Sequence, residues 1–217
     1  VYNRTLTITY AANGGTGTVG NTTKTIYLNS NSTTTSDQAV TLSNTTYTKT
    51  GYTFSKWTIG STDYNKGASY NPSLAYNAAA ANWTITATVK WIPTNYTIGY
   101  TLNGGTNGSG NPTNYNIETN TITLADASKT GYTFTGWTGS NGTTPQKGIT
   151  IPVGSTGDRK YTANWSKDTY EITYVMNGGT NATSNPASYQ VDTPTITLAD
   201  PTKTGYTFTH WTGSNGT

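Results

Sequence analysis

His210 is the single histidine of this chain, and it stands between Thr209 and Trp211. A histidine can serve as general base, proton shuttle or metal ligand, but each role needs a second group held within reach. In two closely similar segments the equivalent position carries Lys56 and Gly136, so it accepts side chains of unrelated chemistry. We read His210 as a surface residue. No second histidine exists to build a zinc cluster, and the absence of cysteine removes a thiol nucleophile and a disulfide framework together. Paired carboxylates would suit glycoside hydrolysis. The nine acids are dispersed instead. Asp126 and Asp200 occupy equivalent places, where capping of a turn accounts for them, while Glu118 and Glu171 fall in different frames. No acid spacing matches a calcium-binding EF-hand loop. The chain is therefore expected to have no catalytic residues, no metal and no cofactor.

Six tryptophans and seventeen tyrosines offer a different chemistry, the stacking of ring faces on sugars. Tyr52, Phe54 and Trp57, however, recur at one spacing in every unit. Lys49-Thr50-Gly51-Tyr52-Thr53-Phe54-Ser55-Lys56-Trp57 returns as Lys129-Thr130-Gly131-Tyr132-Thr133-Phe134-Thr135-Gly136-Trp137, and again as Lys203-Thr204-Gly205-Tyr206-Thr207-Phe208-Thr209-His210-Trp211. A small domain needs large buried rings. We therefore assign Tyr52, Phe54, Trp57 and Trp91, Tyr132, Phe134, Trp137 and Trp165, and Tyr206, Phe208 and Trp211 to a repeated structural core. Candidates for exposed stacking lie outside the common frame, at Tyr64, Tyr70 and Tyr76. Lys49, Lys129 and Lys203 also recur. A Lys–Asn isopeptide bond would need a buried acid that the sequence does not place, so these lysines are expected to face solvent. The frequent Asn-x-Ser/Thr triplets, such as that at Asn141, follow by chance from a chain so rich in Asn and Thr.

An Asn-Gly-Gly-Thr segment precedes each copy, starting at Asn13, Asn103 and Asn177. Two markers in fixed order, three times over, define a tandem array. Gly131 to Gly205 and Asn103 to Asn177 are both 74 residues apart, whereas Gly51 to Gly131 is 80 and Asn13 to Asn103 is 90. Repeats 2 and 3 are thus in register, and repeat 1 carries insertions. Such units are longer than solenoid coils and read as small domains with their own cores, near the lower limit for independent folding. The boundaries drawn are 1–92, 93–167 and 168–217. Both Trp137 and Trp211 open the segment Trp-Thr-Gly-Ser-Asn-Gly-Thr, but only repeat 2 continues to Tyr161, Ala163 and Trp165. Repeat 3 is read as incomplete, either cut from a longer array or completed by a strand of another chain.

The elements that position these residues are strands. Tyr96, Ile98, Tyr100 and Leu102 alternate with Thr97, Gly99 and Thr101, the period of a half-buried strand. Leu6, Ile8 and Tyr10 do the same in repeat 1, as do Tyr170, Ile172, Tyr174 and Met176 in repeat 3. Each runs into Asn-Gly-Gly, residues that tolerate the positive φ of a tight turn. Short strands follow at Val40/Leu42, Ile122/Leu124 and Ile196/Leu198. In the aromatic motif Trp137 is out of phase with Tyr132 and Phe134, so a bulge or bend is expected before the tryptophan. Closing strands are expected at Trp83–Trp91 and Tyr161–Trp165, and a short helix within Asn71–Ala81. The joints Ile92-Pro93-Thr94 and Ser166–Thr169 read as short linkers that limit bending.

Only 10% of residues are charged and the net charge is +3, with lysines scattered. This argues against nucleic acid, whose phosphates require a dense basic stripe. No apolar run is long enough to span a membrane. A polar, cysteine-free array suits an exported protein of the bacterial cell surface.

These motifs resemble the internalin B-repeat family, also called the Listeria–Bacteroides repeat. The resemblance rests on Gly-Tyr-Thr-Phe-x-x-Trp, the preceding strand ending in Asn-Gly-Gly and the lead-ins Asp126-Ala127-Ser128-Lys129 and Asp200-Pro201-Thr202-Lys203. It extends to the closing strand Tyr161-Thr162-Ala163-Asn164-Trp165. It covers nearly the whole chain. Repeat 1 departs from it in its lead-in, Ser43–Lys49, and in its closing strand, Thr86–Trp91. The resemblance implies mainly β, β-grasp-like modules strung along extracellular bacterial proteins, often adhesins, with no shared catalytic residues.

The expected function is a spacer or stalk segment of a surface adhesin, an elongated string of beads that contact their neighbours in the same chain. Two alternatives stand beside it: repeats that themselves bind host glycans or proteins, and a filament subunit that self-associates by strand addition at repeat 3.

Overall fold

The computed structural model describes residues 2–28, 39–74 and 82–214. Among these the architecture is mainly β, with no helix. The chain forms two compact units. One comprises Val1–Thr97, Asn114–Ile122 and Ile151–Asp158; the other comprises Ile98–Thr113, Thr123–Thr150 and Arg159–Thr217.

Repeat 1 contains β1 (Tyr2–Ala11), β2 (Thr22–Leu28), β3 (Val40–Thr41), β4 (Tyr52–Ile59), β5 (Thr62–Tyr64), β6 (Ser69–Tyr70) and β7 (Trp83–Pro93). Its five-stranded sheet has the order β2-β1-β7-β4-β5, and β3 pairs with β6 beside it. The alternation of β1 puts Leu6, Ile8 and Tyr10 on the buried face. Each fully buried Leu or Ile contributes roughly 2 kcal/mol of transfer free energy. The first and last strands of the repeat lie side by side and parallel, from Leu6↔Trp83 to Ala11↔Thr88. Strand β4 then pairs antiparallel with β7.

Repeat 2 contains β8 (Tyr96–Thr101), β9 (Asn114–Tyr115), β10 (Ile122–Thr123), β11 (Tyr132–Gly139), β12 (Gly142–Gln146), β13 (Thr150–Ile151) and β14 (Arg159–Lys167). The order β12-β11-β14-β8-β9, with β10 against β13, reproduces repeat 1 strand for strand. Its parallel pair is β8 and β14, Ile98↔Arg159 to Thr101↔Thr162. Repeat 3 contributes β15 (Thr169–Glu171) and β16 (Ser188–Gln190), paired antiparallel.

The expected bulge is present twice. The register shifts between Phe54 and Lys56 and between Phe134 and Gly136. The extra residue turns Trp57 and Trp137 inward, where both are fully buried. Each ring packs on the phenylalanine three residues earlier at 5.1 Å, edge to face, and on the tyrosine of the first strand, Tyr10 at 4.7 Å or Tyr100 at 5.6 Å.

The Asn-Gly pairs take the two positive φ angles of a type I′ turn, 48° and 80° at Asn13-Gly14 and nearly the same at Asn103-Gly104 and Asn177-Gly178. A second asparagine acts as a clamp. Asn111 accepts from the Ala125 amide at 2.7 Å and donates to the Ala125 carbonyl at 3.0 Å, as a neighbouring strand would. Asn185 repeats this on Ala199 at 2.7 and 2.9 Å.

Tyr64 and Tyr70 are not an exposed platform. They pack edge to face at 5.4 Å against the core of repeat 1, and burial pushes the Tyr70 hydroxyl pKa up. Tyr76 and most of the expected helix lie outside the described residues.

Candidate functional site: the joint between repeats

The site begins with a turn. In Lys49-Thr50-Gly51-Tyr52 the Tyr52 amide donates to the Lys49 carbonyl at 3.0 Å, and Gly51 adopts φ +76°. Only glycine takes that angle without strain. Absence of a side chain also lets the next repeat approach, because a Cβ at Gly51 would lie 2.5 Å from Ile117 Cδ1. Gly131 has φ +77°, and its Cβ would lie 2.8 Å from Val191. Ile117 and Val191 are 74 residues apart, the period of the array, so one contact is made twice.

The segments expected to be linkers are sheet rungs. Strand β7 runs on through Ile92 opposite Thr53 and Pro93 opposite Tyr52. Strand β14 runs on through Ser166 opposite Thr133 and Lys167 opposite Tyr132. The next residue closes the joint: the Thr94 amide donates to the Gly51 carbonyl at 2.9 Å, and the Asp168 amide to the Gly131 carbonyl at 3.0 Å. Side chains repeat the tie, with Thr53 Oγ1 2.9 Å from Thr94 Oγ1 and Thr133 Oγ1 donating to Asp168 Oδ1 at 2.6 Å.

The incoming element is a four-residue turn, Asn116-Ile117-Glu118-Thr119 or Gln190-Val191-Asp192-Thr193. In each, the last threonine's hydroxyl accepts from the first residue's amide, at 2.9 and 2.7 Å. The apolar second residue enters the glycine's space, and the acid beside it engages the preceding repeat. Tyr52 donates its hydroxyl proton to Glu118 Oε1 at 2.8 Å. That bond and partial desolvation hold the Tyr52 pKa above its ordinary value. In the second joint Lys167 forms an ion pair with Asp192. The pairing raises the lysine pKa and lowers that of the aspartate.

The recurring lysines also take part in this turn, Lys49 and Lys129 half-buried and Lys203 exposed to solvent as expected. Lys49, Lys129 and Lys203 place Nζ 4.3, 4.1 and 4.3 Å from the ring centres of Tyr52, Tyr132 and Tyr206. Lys129 and Lys203 also donate to the main-chain carbonyls of Asn103 and Asn177, each at 2.8 Å.

Of the eleven residues assigned to the core, Trp57, Trp137 and Phe134 are buried, and Phe54, Trp91, Tyr132, Trp165 and Tyr52 are half-buried. In repeat 3 Phe208 and Trp211 are half-buried. Tyr206 is 72% exposed and belongs to the joint, not the core. Its counterpart Tyr52 is covered by the end of β7 and by Glu118. His210 is exposed. Among the described residues no three of His, Cys, Asp and Glu come together as a metal-holding group. Reading the acids as dispersed overlooked the joint, although the 74-residue offset pairs Ile117, Glu118 and Thr119 with Val191, Asp192 and Thr193.

One sheet order built twice, and one joint built twice, define a tandem β-repeat protein. The model of the Listeria-Bacteroides repeat domain matches residues 6–87, 96–163 and 170–217, and the chain belongs to this family. The family occurs in bacterial surface proteins. No curated protein and no solved structure matches the chain. No helix among the described residues is long and apolar enough to cross a membrane.

Proposed function

We propose that this chain is a non-catalytic spacer segment of a bacterial cell-surface protein. Its repeats are of the internalin B type, and each mixed sheet with its parallel central pair is a β-grasp-like module. The observation that carries this reading is the joint. A spacer must hold successive modules in a set relation, and here the connecting residues are rungs of the preceding sheet while an apolar plug fills a glycine socket. A tether that merely links binding domains needs neither feature. The residues immediately before each tryptophan, Lys56, Gly136 and His210, differ in type and in burial from repeat to repeat. That variation favours a shared scaffold over a shared ligand.

The absence of cysteine permits a clean test. Dyes on Ser61→Cys and Asn120→Cys, one on each side of the first joint, are expected to give a single narrow transfer-efficiency distribution in single-molecule fluorescence. A broad or multi-peaked distribution would overturn the spacer reading.

A further inference from the structure

The outer face of the repeat 1 sheet carries a groove that the spacer role does not use. Strand alternation buries Ala87 and Val89 and turns Thr86, Thr88 and Lys90 to the other side. Thr88 lies opposite Thr58 of β4, and Thr58 lies opposite Asp63 of β5, so the same face continues across three strands. Thr58 Oγ1 donates to Asp63 at 2.7 Å, and Lys90 forms an ion pair with that carboxylate. Beyond Lys90 the groove reaches Lys49, Tyr52 and Glu118, and its volume is about 730 Å³. From Thr86 to Trp91 it follows β7 for about 17 Å. Lys49 sets this groove apart. The lysines at the same place in repeats 2 and 3 each donate to a main-chain carbonyl, that of Asn103 or Asn177. In repeat 1 the matching carbonyl, that of Asn13, accepts from the Trp91 indole at 3.0 Å. The Lys49 ammonium has the Tyr52 ring at 4.3 Å but no hydrogen-bond acceptor among the described residues. The hydroxyl of the same tyrosine holds the Glu118 carboxylate at 2.8 Å. A cationic donor and an anionic acceptor thus stand on one ring, the first at its face and the second at its edge. Repeat 2 has Asn164 in place of Lys90 and ties up its own lysine, so it does not repeat this set.

We propose that this groove binds an uncharged polysaccharide, whose hydroxyls accept from Lys49 and donate to Glu118 while others meet Thr86, Thr88 and the Asp63–Lys90 pair. The lining has two lysines and two acids and therefore no net charge, which selects against an anion or a cation. A peptide strand docks on a sheet edge, whereas the floor of this groove is β7 and β4, each already paired on both sides. A sugar chain fits because every hydroxyl is at once a donor and an acceptor, and so can satisfy an ammonium and a carboxylate in turn. Because the full set occurs in repeat 1 and not in repeat 2, such a ligand is compatible with a scaffold whose other surfaces vary from repeat to repeat.

The test is affinity electrophoresis of the full chain through gels containing β-glucan, galactomannan or arabinogalactan, polymers that differ in the orientation of their hydroxyls. Retardation by at least one is expected. An oligosaccharide of that polymer should then shift the amide resonances of residues 49–52, 58–63, 86–91 and 118. Lys49→Met and Asp63→Asn are each expected to weaken binding at least about tenfold, the scale of one hydrogen bond to a charged group. Lys129→Met makes the same change where the lysine is held by a carbonyl, and it should leave binding unchanged. Asp63→Asn keeps the side chain's shape, and the amide spectrum of each free variant reports its fold. Retardation by none of the three polymers, shifts confined to other residues, or equal losses for Lys49→Met and Lys129→Met would each overturn the proposal.

Discussion

The hydroxyl of Tyr52 in repeat 1 donates to the carboxylate of Glu118 in repeat 2 across 2.8 Å, so a residue of the most repetitive motif in the chain reads a residue of the next module. The bond favours the protonated tyrosine. A folded-state pKa above the unfolded value of 10.0 gives stability fully present below pH 10 and lost as pH rises through the folded pKa. Glu118→Gln keeps an acceptor but removes the charge. The Tyr52 hydroxyl is expected to titrate above 10 in the parent chain and closer to 10 in the variant, measured by NMR with labelled tyrosine.

The second joint responds at the other end of the pH scale. Lys167 holds the Asp192 pKa below its ordinary 3.8. That contribution is present above pH 3.8 and lost as pH falls through the lowered value. Carbon-detected titration of Asp192 should show the depression, and Lys167→Met should abolish it. An unchanged titration would mean that this exposed pair is not formed in solution.

Gly51 and Gly205 make a matched pair. A Cβ at Gly205 meets no atom within 4 Å among the described residues beyond its chain neighbours, so valine there should cost about 1–2 kcal/mol for its left-handed backbone. Valine at Gly51 bears the same backbone cost and also collides with Ile117. Thermal denaturation should show Gly51→Val as clearly the more damaging, and it should broaden the distance distribution across the first joint. Equal effects would argue against the plug and socket.

Trp57 and Trp137 are both fully buried, but they are not equivalent. The Trp57 indole N–H donates to the Ser43 carbonyl at 3.1 Å. The carbonyl at the matching position, Ala125, is taken by Asn111, and the Trp137 N–H has no partner among the described residues. Both Trp→Phe changes open a cavity, but only Trp57→Phe also gives up a hydrogen bond; the Ser43 carbonyl keeps the Gly67 amide at 3.3 Å. We expect Trp57→Phe to be worse by about 1 kcal/mol. Urea unfolding, followed separately for each repeat by amide exchange, would measure the difference.

The strands were legible because their alternation is strict, and the Asn-Gly turns because few other residues tolerate two positive φ angles in succession. The bulge was legible as a conflict of phase between Phe134 and Trp137. What escaped were contacts made across a repeat boundary. Nothing local to Ile92-Pro93-Thr94 distinguishes a linker from a strand that overruns its module, because the answer depends on Tyr52 and Thr53 forty residues earlier. Glu118 and Asp192 looked like scattered acids because they differ in type. The contacts of the lysines escaped because their partners are a main-chain carbonyl and a ring face, neither of which carries a sequence signature.

The parallel pairing of β1 with β7 has a mechanical consequence. Adjacent parallel strands that are also the first and last of a module place its entry and exit at opposite ends of one ladder. Tension applied at Tyr2 and Pro93 pulls these strands past each other, so the rungs from Leu6↔Trp83 to Ala11↔Thr88 resist together in shear. The antiparallel edge at β5, by contrast, would open one rung at a time. Each module is strongest along the direction in which the chain itself would be stretched.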